Sequence, residues 1–136
     1  MINDKKIILI TGGAGFLGSH LCEKLVNNNN NIIYCLDNLI TGNKKNISNL
    51  INKKNFNFIH HNINKSLDLK VDEIFNLACP ASPQHYQSDP VETVRTNVQG
   101  VLNLLELSEK YQAKILQAST SEIYGDPLQH PQSENY

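Results

Sequence analysis

Apolar residues along this chain come in short blocks, and the spacing inside the blocks alternates between two kinds. Ile7 to Ile10, Ile32 to Leu36 and Phe56 to Ile59 are compact runs rich in β-branched or aromatic residues and bounded by polar or glycine positions. Such runs predict strands. Elsewhere the apolar residues take helical spacing. Leu17, Leu21 and Leu25 recur every four positions, and Cys22 and Val26 widen that stripe. Val94, Val98, Val101, Leu102 and Leu105 make a second stripe, expected to be buried, in a stretch opened by Pro90. The pattern predicts strands over residues 6–11, 32–37, 56–60, 73–78 and 114–118. It predicts a helix after the first strand, a short one over 47–51 and a long one over 90–110. Alternation of strand and helix implies an α/β fold, a doubly wound parallel sheet of the Rossmann kind with helices on both faces. No repeat or linker interrupts it, so residues 1–136 read as one domain.

The first turn carries the strongest chemical signal. Strand residues Ile7 to Thr11 lead into Gly12-Gly13-Ala14-Gly15-Phe16-Leu17-Gly18, and Asp37 ends the second strand. A carboxylate about 20 residues beyond a glycine-spaced strand-to-helix turn has the spacing of a dinucleotide site. Gly12 permits a tight turn, Gly15 lets backbone approach a pyrophosphate, and Gly18 lets the helix pack closely. The helix N-terminus then offers N–H groups to phosphate. Asp37 is placed to accept from ribose hydroxyls and to repel a 2′-phosphate, so the expected cofactor is NAD rather than NADP.

Composition adds mostly exclusions. The chain is 40% hydrophobic, 18% charged and carries a net charge of −1, which suits a globular domain and not a partner of nucleic acid or of an anionic membrane. Lys5-Lys6 before the first strand is no signal peptide, because the apolar run is too short. The expected compartment is the cytoplasm. Cys22, Cys35 and Cys79 are widely spaced and odd in number, and read as small packing residues rather than a metal or redox centre. His60 and His61 are adjacent on a strand and so face opposite ways, which argues against a metal pair. Asn27 to Asn31 reads as a solvated turn.

The ends of the fourth and fifth strands are the other candidates. Cys79-Pro80-Ala81-Ser82-Pro83 reads as a rigid loop on the sheet edge where ligands of open α/β folds bind. Asn97 either braces a neighbouring loop or is solvated. After the fifth strand come Ser119-Thr120-Ser121-Glu122. A hydroxyl and a carboxylate there suit orientation of a substrate oxygen and general base chemistry. The same pattern is also helix-capping chemistry, and spacing alone favours the cap.

Taken together, T-G-G-A-G-F-L-G-S-H, L-D-N-L-I-T-G, N-L-A-C-P-A-S-P, R-T-N-V-Q-G-V-L-N and A-S-T-S-E-I-Y-G-D-P-L-Q-H-P-Q-S-E cover nearly the whole chain. In that order they resemble the extended short-chain dehydrogenase/reductase family, and within it the UDP-glucuronate decarboxylases. The resemblance implies oxidation of the sugar 4-hydroxyl by NAD, loss of carbon dioxide beta to the new ketone, and return of hydride to give UDP-xylose. It implies that Thr120 binds the reacting hydroxyl while Ser121 and Glu122 support the ring and the decarboxylation. Gly15, Phe16 and Leu17 would line the pyrophosphate. Asp37, Asn38, Thr41 and Gly42 would hold the adenosine half, and Asn62 and Ile63 the adenine. Leu77, Cys79 and Thr96 would line the cofactor cleft, with Arg95 and Tyr86 toward the UDP-sugar. A homodimer is the implied assembly.

Three positions depart from that family: Arg95 stands where Lys is usual, Asn62 where Asp is usual and Asn76 where His is usual. A larger departure concerns the family's Tyr-x-x-x-Lys pair. The residues four beyond Tyr34, Tyr86, Tyr111 and Tyr124 are Asn38, Pro90, Ile115 and Leu128, and Tyr136 ends the chain. The resemblance therefore implies an incomplete Rossmann domain, cut after about five strands and without its substrate lobe, inactive alone. A sugar-nucleotide 4,6-dehydratase or 4-epimerase is the alternative within the family, and a non-catalytic NAD-binding module the alternative outside enzymes.

Overall fold

A computed structural model of the chain describes residues 5–136. Five strands, β1 (Lys6–Thr11), β2 (Asn31–Asp37), β3 (Phe56–His60), β4 (Glu73–Asn76) and β5 (Lys114–Gln117), form one sheet in the order β3-β2-β1-β4-β5. Every pairing is parallel. Chain order reverses at β1, so a crevice opens beyond the C-terminal ends of β1 and β4, the usual ligand position of such sheets. The predicted doubly wound α/β architecture is what the chain adopts.

Helices cover both faces because the strands are apolar on both. On one face Ile8, Ile10, Ile33 and Cys35 pack against Cys22 and Val26 of α1 (Phe16–Val26). On the other, Leu9, Leu36 and Ile74 pack against Leu104 and Leu107, from the last of three helices linking β4 to β5. These are α2 (Pro83–Ser88), α3 (Pro90–Arg95) and α4 (Val101–Tyr111).

Several boundaries differ from the sequence reading. The helix expected over 47–51 is instead one 3-10 turn, Lys44–Ile47, capped by the Asn43 side chain accepting from Lys45 N at 2.9 Å. Ile47 and Leu50 still bury, but from turns. β4 ends at Asn76, two residues early. Part of the expected rigid loop after it is helical, since Pro83 suits a first helical turn.

The long helix over 90–110 holds a π-type segment, Thr96–Gly100. The residues facing the sheet are Thr96, Gly100, Leu104 and Leu107. A Cβ on Gly100 would lie 2.5 Å from Ile63 Cδ1, so a larger residue there requires the Ile63 side chain to shift. The stripe expected to be buried faces outward: Val94, Val98, Leu102 and Leu105 are 46–61% exposed, and only Val101 is half-buried. In α1 the expected stripe likewise narrows. Cys22 and Val26 are buried, Leu21 and Leu25 half-buried, and Leu17 is exposed at the helix start beside Phe16.

Among the described residues β5 pairs only with β4, which leaves its other edge open. No helix of the described residues is long and apolar enough to cross a membrane. Because Val98 and Leu102 contact little, V98E/L102E is expected to change unfolding free energy by less than about 1 kcal/mol. The same double substitution is expected to lower concentration-dependent association of the 136-residue chain in light scattering. A cooperative loss of stability in chemical denaturation would instead place these residues in the core.

Candidate functional site

The glycine turn sits where β1 ends, and its shape follows from missing side chains. Gly12 has φ +68°, the left-handed region that favours glycine, and a Cβ there would lie 2.7 Å from the Leu77 carbonyl oxygen beyond β4. A Cβ on Gly18 would lie 2.2 Å from Gly12 O and 2.7 Å from Gly13 Cα, so α1 packs directly against the turn. A Cβ on Gly13 would meet Cys35 Sγ at 2.5 Å, a constraint from β2 that spacing does not reveal. Gly15 differs, since a Cβ there would meet only Gly12 O, at 3.1 Å, and its outer side is open. α1 starts after Gly15 with no side-chain cap and no acidic residue in its first turn. Its N-terminal dipole is thus not neutralised by its own first residues.

Asp37 fixes this turn to the next strand. Its Oδ2 accepts from Ala14 N at 2.9 Å and its Oδ1 from Leu39 N at 2.8 Å. Leu39 has φ 61°, a left-handed conformation rarely taken by a branched apolar residue, and the Asp37 bond holds it there. A Cβ on Gly42 would come within 2.7 Å of Asp37 Oδ1, so the loop after β2 folds over the carboxylate. The side chain is 6% exposed, yet each oxygen has a lone pair left after its backbone bond. Next to Asp37, beyond β2 and β3, a cavity of about 340 Å³ is lined by Asn38, Ile40, His60, His61, Asn62 and Lys65. His60 Nε2 donates to the Asn38 carbonyl at 3.1 Å and His61 Nε2 to the Lys65 carbonyl at 3.2 Å, and no group of three or more metal-ligating side chains occurs among the described residues.

A second polar assembly ties β1, β4 and β5 together. Thr11 Oγ1 donates to Asn76 Oδ1 at 2.5 Å, and Asn76 Nδ2 donates to Gln117 Oε1 at 2.7 Å. The three residues are register partners across the sheet, and Thr11 and Asn76 are buried. Asn76 thus uses both ends of its amide where the resembled family has His. Its partners lie 65 and 41 residues away in sequence, so local pattern cannot show them.

The remaining expected site residues are distributed around the crevice. Leu77 is half-buried above Gly12, and Thr96 is buried on the π-type segment. Asn97 Nδ2 donates to Cys79 Sγ at 3.2 Å and to Thr93 O at 2.9 Å, so it braces the proline loop. Arg95 is exposed at the end of α3, while Tyr86 is half-buried in α2 and its carbonyl accepts from Thr93 Oγ1. Thr120 precedes a 3-10 turn, Ser121–Tyr124, and its Oγ1 accepts from Glu122 N at 3.3 Å. The capping geometry is therefore present, with Thr120, Ser121 and Glu122 all exposed. Thr41 is exposed in the loop over Asp37, and Ile63 is buried against Gly100. Sequence reasoning missed Glu92 on α3, whose Oε1 accepts from Nδ2 of both Asn62 and Asn64 at 2.8 Å.

Two expectations test this geometry. D37A removes the acceptor for two backbone N–H groups and is expected to cost about 2–4 kcal/mol in denaturant unfolding, with D37N costing less, since leaving a buried donor unpaired costs about 1–3 kcal/mol. Equal stability of D37A and the parent chain would show that the carboxylate does not anchor the turn. Hydrogen bonding to Cys22, with burial, pushes the Cys35 thiol far above its ordinary pKa. Titration of the native chain with a disulfide reagent should therefore label one thiol quickly, the exposed Cys79, and all three only after unfolding.

A family profile described as GDP-mannose 4,6 dehydratase matches residues 9–136. The chain is 51% identical over 129 residues to UDP-glucuronic acid decarboxylase 6 of Arabidopsis thaliana, covering 95% of this chain and 38% of that protein. It is 49% identical over 133 residues to UDP-glucuronic acid decarboxylase 1 of Xenopus tropicalis, covering 98% of this chain and 31% of the other. The chain thus spans about a third of the length of these relatives. Among solved structures, UDP-N-acetylglucosamine 4-epimerase from Methanobrevibacter ruminantium superposes with a TM-score of 0.84 at 28% identity, covering 96% of this chain and 43% of that one. A dTDP-glucose 4,6-dehydratase from Streptomyces venezuelae, solved with NAD bound, superposes with a TM-score of 0.77 at 28% identity, covering 88% of this chain and 41% of that one. With the profile match running from the first strand to Tyr136, the chain belongs to the GDP-mannose 4,6 dehydratase family, among the extended short-chain dehydrogenase/reductases.

Proposed function

We propose that this chain is the NAD-holding part of a UDP-glucuronate decarboxylase. The observation that carries the reading is the pairing of an open glycine turn with a carboxylate one strand away, in a chain about half identical to decarboxylases over 95% of its length. The residues present fit the cofactor. The outer side of Gly15 and the uncapped start of α1 suit a pyrophosphate. The spare lone pairs of Asp37 suit ribose hydroxyls, and the loop at Gly42 leaves little room there for an added phosphate. The cavity bordered by Asn38, Ile40 and Asn62 lies one step further out, where a base joined to that ribose would go. Thr41 and Ile63 would complete the adenosine side. Phe16 and Leu17, exposed at the head of α1, would cover the pyrophosphate, and Leu77, Cys79 and Thr96 would line the cleft toward β4.

Bound NAD would accept hydride from carbon 4 of the sugar and later return it. Thr120 would hydrogen-bond the 4-hydroxyl and orient it. Ser121 would hold the ring, and Glu122 would position the carboxylate-bearing carbon or a water as carbon dioxide leaves. Arg95 and Tyr86 would contact the UDP-sugar. Arg95 keeps the positive charge of the usual Lys but offers a planar fork in its place. Homodimer assembly and residence in the cytoplasm belong to the same proposal.

No Tyr of the 136 residues has a Lys four positions later, so these residues alone should not turn over substrate. Calorimetry is expected to show binding of NAD⁺ and at least tenfold weaker binding of NADP⁺, a carboxylate at the ribose being worth about 1.4 kcal/mol or more of discrimination. Incubation with UDP-glucuronate and NAD⁺ is expected to release no carbon dioxide. A folded sample giving no heat with NAD⁺ would overturn the cofactor reading, and steady carbon dioxide release would overturn the claim of inactivity.

A further inference from the structure

The Asn62 side chain lines the cavity beyond Asp37, and its orientation is not left free. Its Nδ2 donates to Glu92 Oε1 at 2.8 Å, and its Oδ1 accepts from Asn64 N at 2.9 Å. A carboxylate can only accept and a backbone N–H can only donate, so these partners force one choice between the two ends of the amide. Glu92 is itself held. Its backbone N donates to Asp89 Oδ1 at 2.9 Å at the start of α3, and the same Oε1 takes a second bond from Asn64 Nδ2 at 2.8 Å. Two elements far apart in sequence, the segment after β3 and the start of α3, are thereby clamped around one amide.

What the clamp leaves over is specific. Asn62 keeps one N–H and one oxygen lone pair for the cavity. An amide edge with one donor and one acceptor matches the edge of a purine bearing a 6-amino group beside a ring nitrogen. Turned by 180°, the same amide would match a 6-oxo purine instead. An unrestrained Asn serves both by rotating, whereas a restrained one discriminates.

We infer that Glu92 is a positioning residue of this site: by accepting from Nδ2 of Asn62 it fixes which end of that amide faces the cavity, and so selects a 6-amino purine over a 6-oxo purine. The inference rests on the cofactor reading above and adds to it a determinant of base selectivity on α3. It also gives a physical role to the clamp at Asn62, where the resembled family has Asp. A carboxylate there presents acceptors whichever way it turns, whereas an amide needs a neighbour to choose.

The test compares NAD⁺ with nicotinamide hypoxanthine dinucleotide, which differs only in carrying a 6-oxo group. Both are titrated calorimetrically into the 136-residue chain and its variants, with thermal melts to confirm folding. The parent chain should prefer NAD⁺ by about tenfold, the value of one hydrogen bond exchanged for an unmet one. In E92A, and in E92M of nearly native shape, the bond from Asn64 N is the one restraint left on the amide, and the preference should fall to about threefold. E92Q retains a carbonyl acceptor for both amides and should keep most of the preference. A simple structural role for Glu92 would weaken both dinucleotides alike and leave the ratio unmoved. An unchanged ratio in folded E92A or E92M, or a parent chain without preference, overturns the inference. A parent chain that binds neither dinucleotide overturns the cofactor reading beneath it, a result distinct from a failed ratio.

Discussion

One carboxylate organises the functional edge of this domain. Asp37 takes an N–H from the glycine turn with one oxygen and an N–H from Leu39 with the other. The first bond ties the end of β1 to the end of β2. The second holds a left-handed Leu39 and so steers the following loop back over the carboxylate at Gly42. Without it, two buried or half-buried donors lose their acceptor and the loop loses the contact that bends it. The turn, the open side of Gly15 and the cavity past β2 all take their positions from this contact.

The sheet contributes the other half of the site by a different device. Thr11, Asn76 and Gln117 lie side by side at the ends of three strands and link their side chains into a row. Buried polar groups are tolerated when every partner is present, and here Asn76 spends both its acceptor and its donor inside the sheet. The crevice beyond β1 and β4 thus has a floor set by backbone register. Its walls come from the glycine turn on one side and the proline loop, braced through Asn97 and Cys79, on the other. Two relatives about half identical to the chain over this region are covered by it to only 38% and 31% of their own length. A nucleotide-sugar reaction is thus a proposal about proteins of that length, whereas the glycine turn, the carboxylate and the cavity beside it are formed by residues of this chain.

Much of this was legible in the sequence because it is local or strictly spaced. Apolar runs and turn glycines located all five strands. The interval from Gly18 to Asp37 identified a carboxylate that does lie against the turn. What failed was the inference from apolarity to burial. Val94, Val98, Leu102 and Leu105 have helical spacing but face outward, while Thr96, Gly100, Leu104 and Leu107, also at helical spacing, meet the sheet. Periodicity reports that a face is apolar, not which element covers it. The cross-strand role of Asn76 and the Glu92 clamp on Asn62 stayed hidden for a related reason. Both depend on partners at least 30 residues away, brought together only by the fold. At Thr120 spacing alone favoured a cap over a substrate contact, and the geometry contains the cap.

Amide chemical shifts of an isotope-labelled chain, followed by NMR as NAD⁺ is added, probe the claim that the turn and Asp37 act together on one ligand. Saturable shifts should cluster at Gly13, Ala14, Gly15 and Phe16, and at Leu39 across the carboxylate. Saturable shifts confined to other parts of the chain, with Ala14 and Leu39 unmoved, would contradict it.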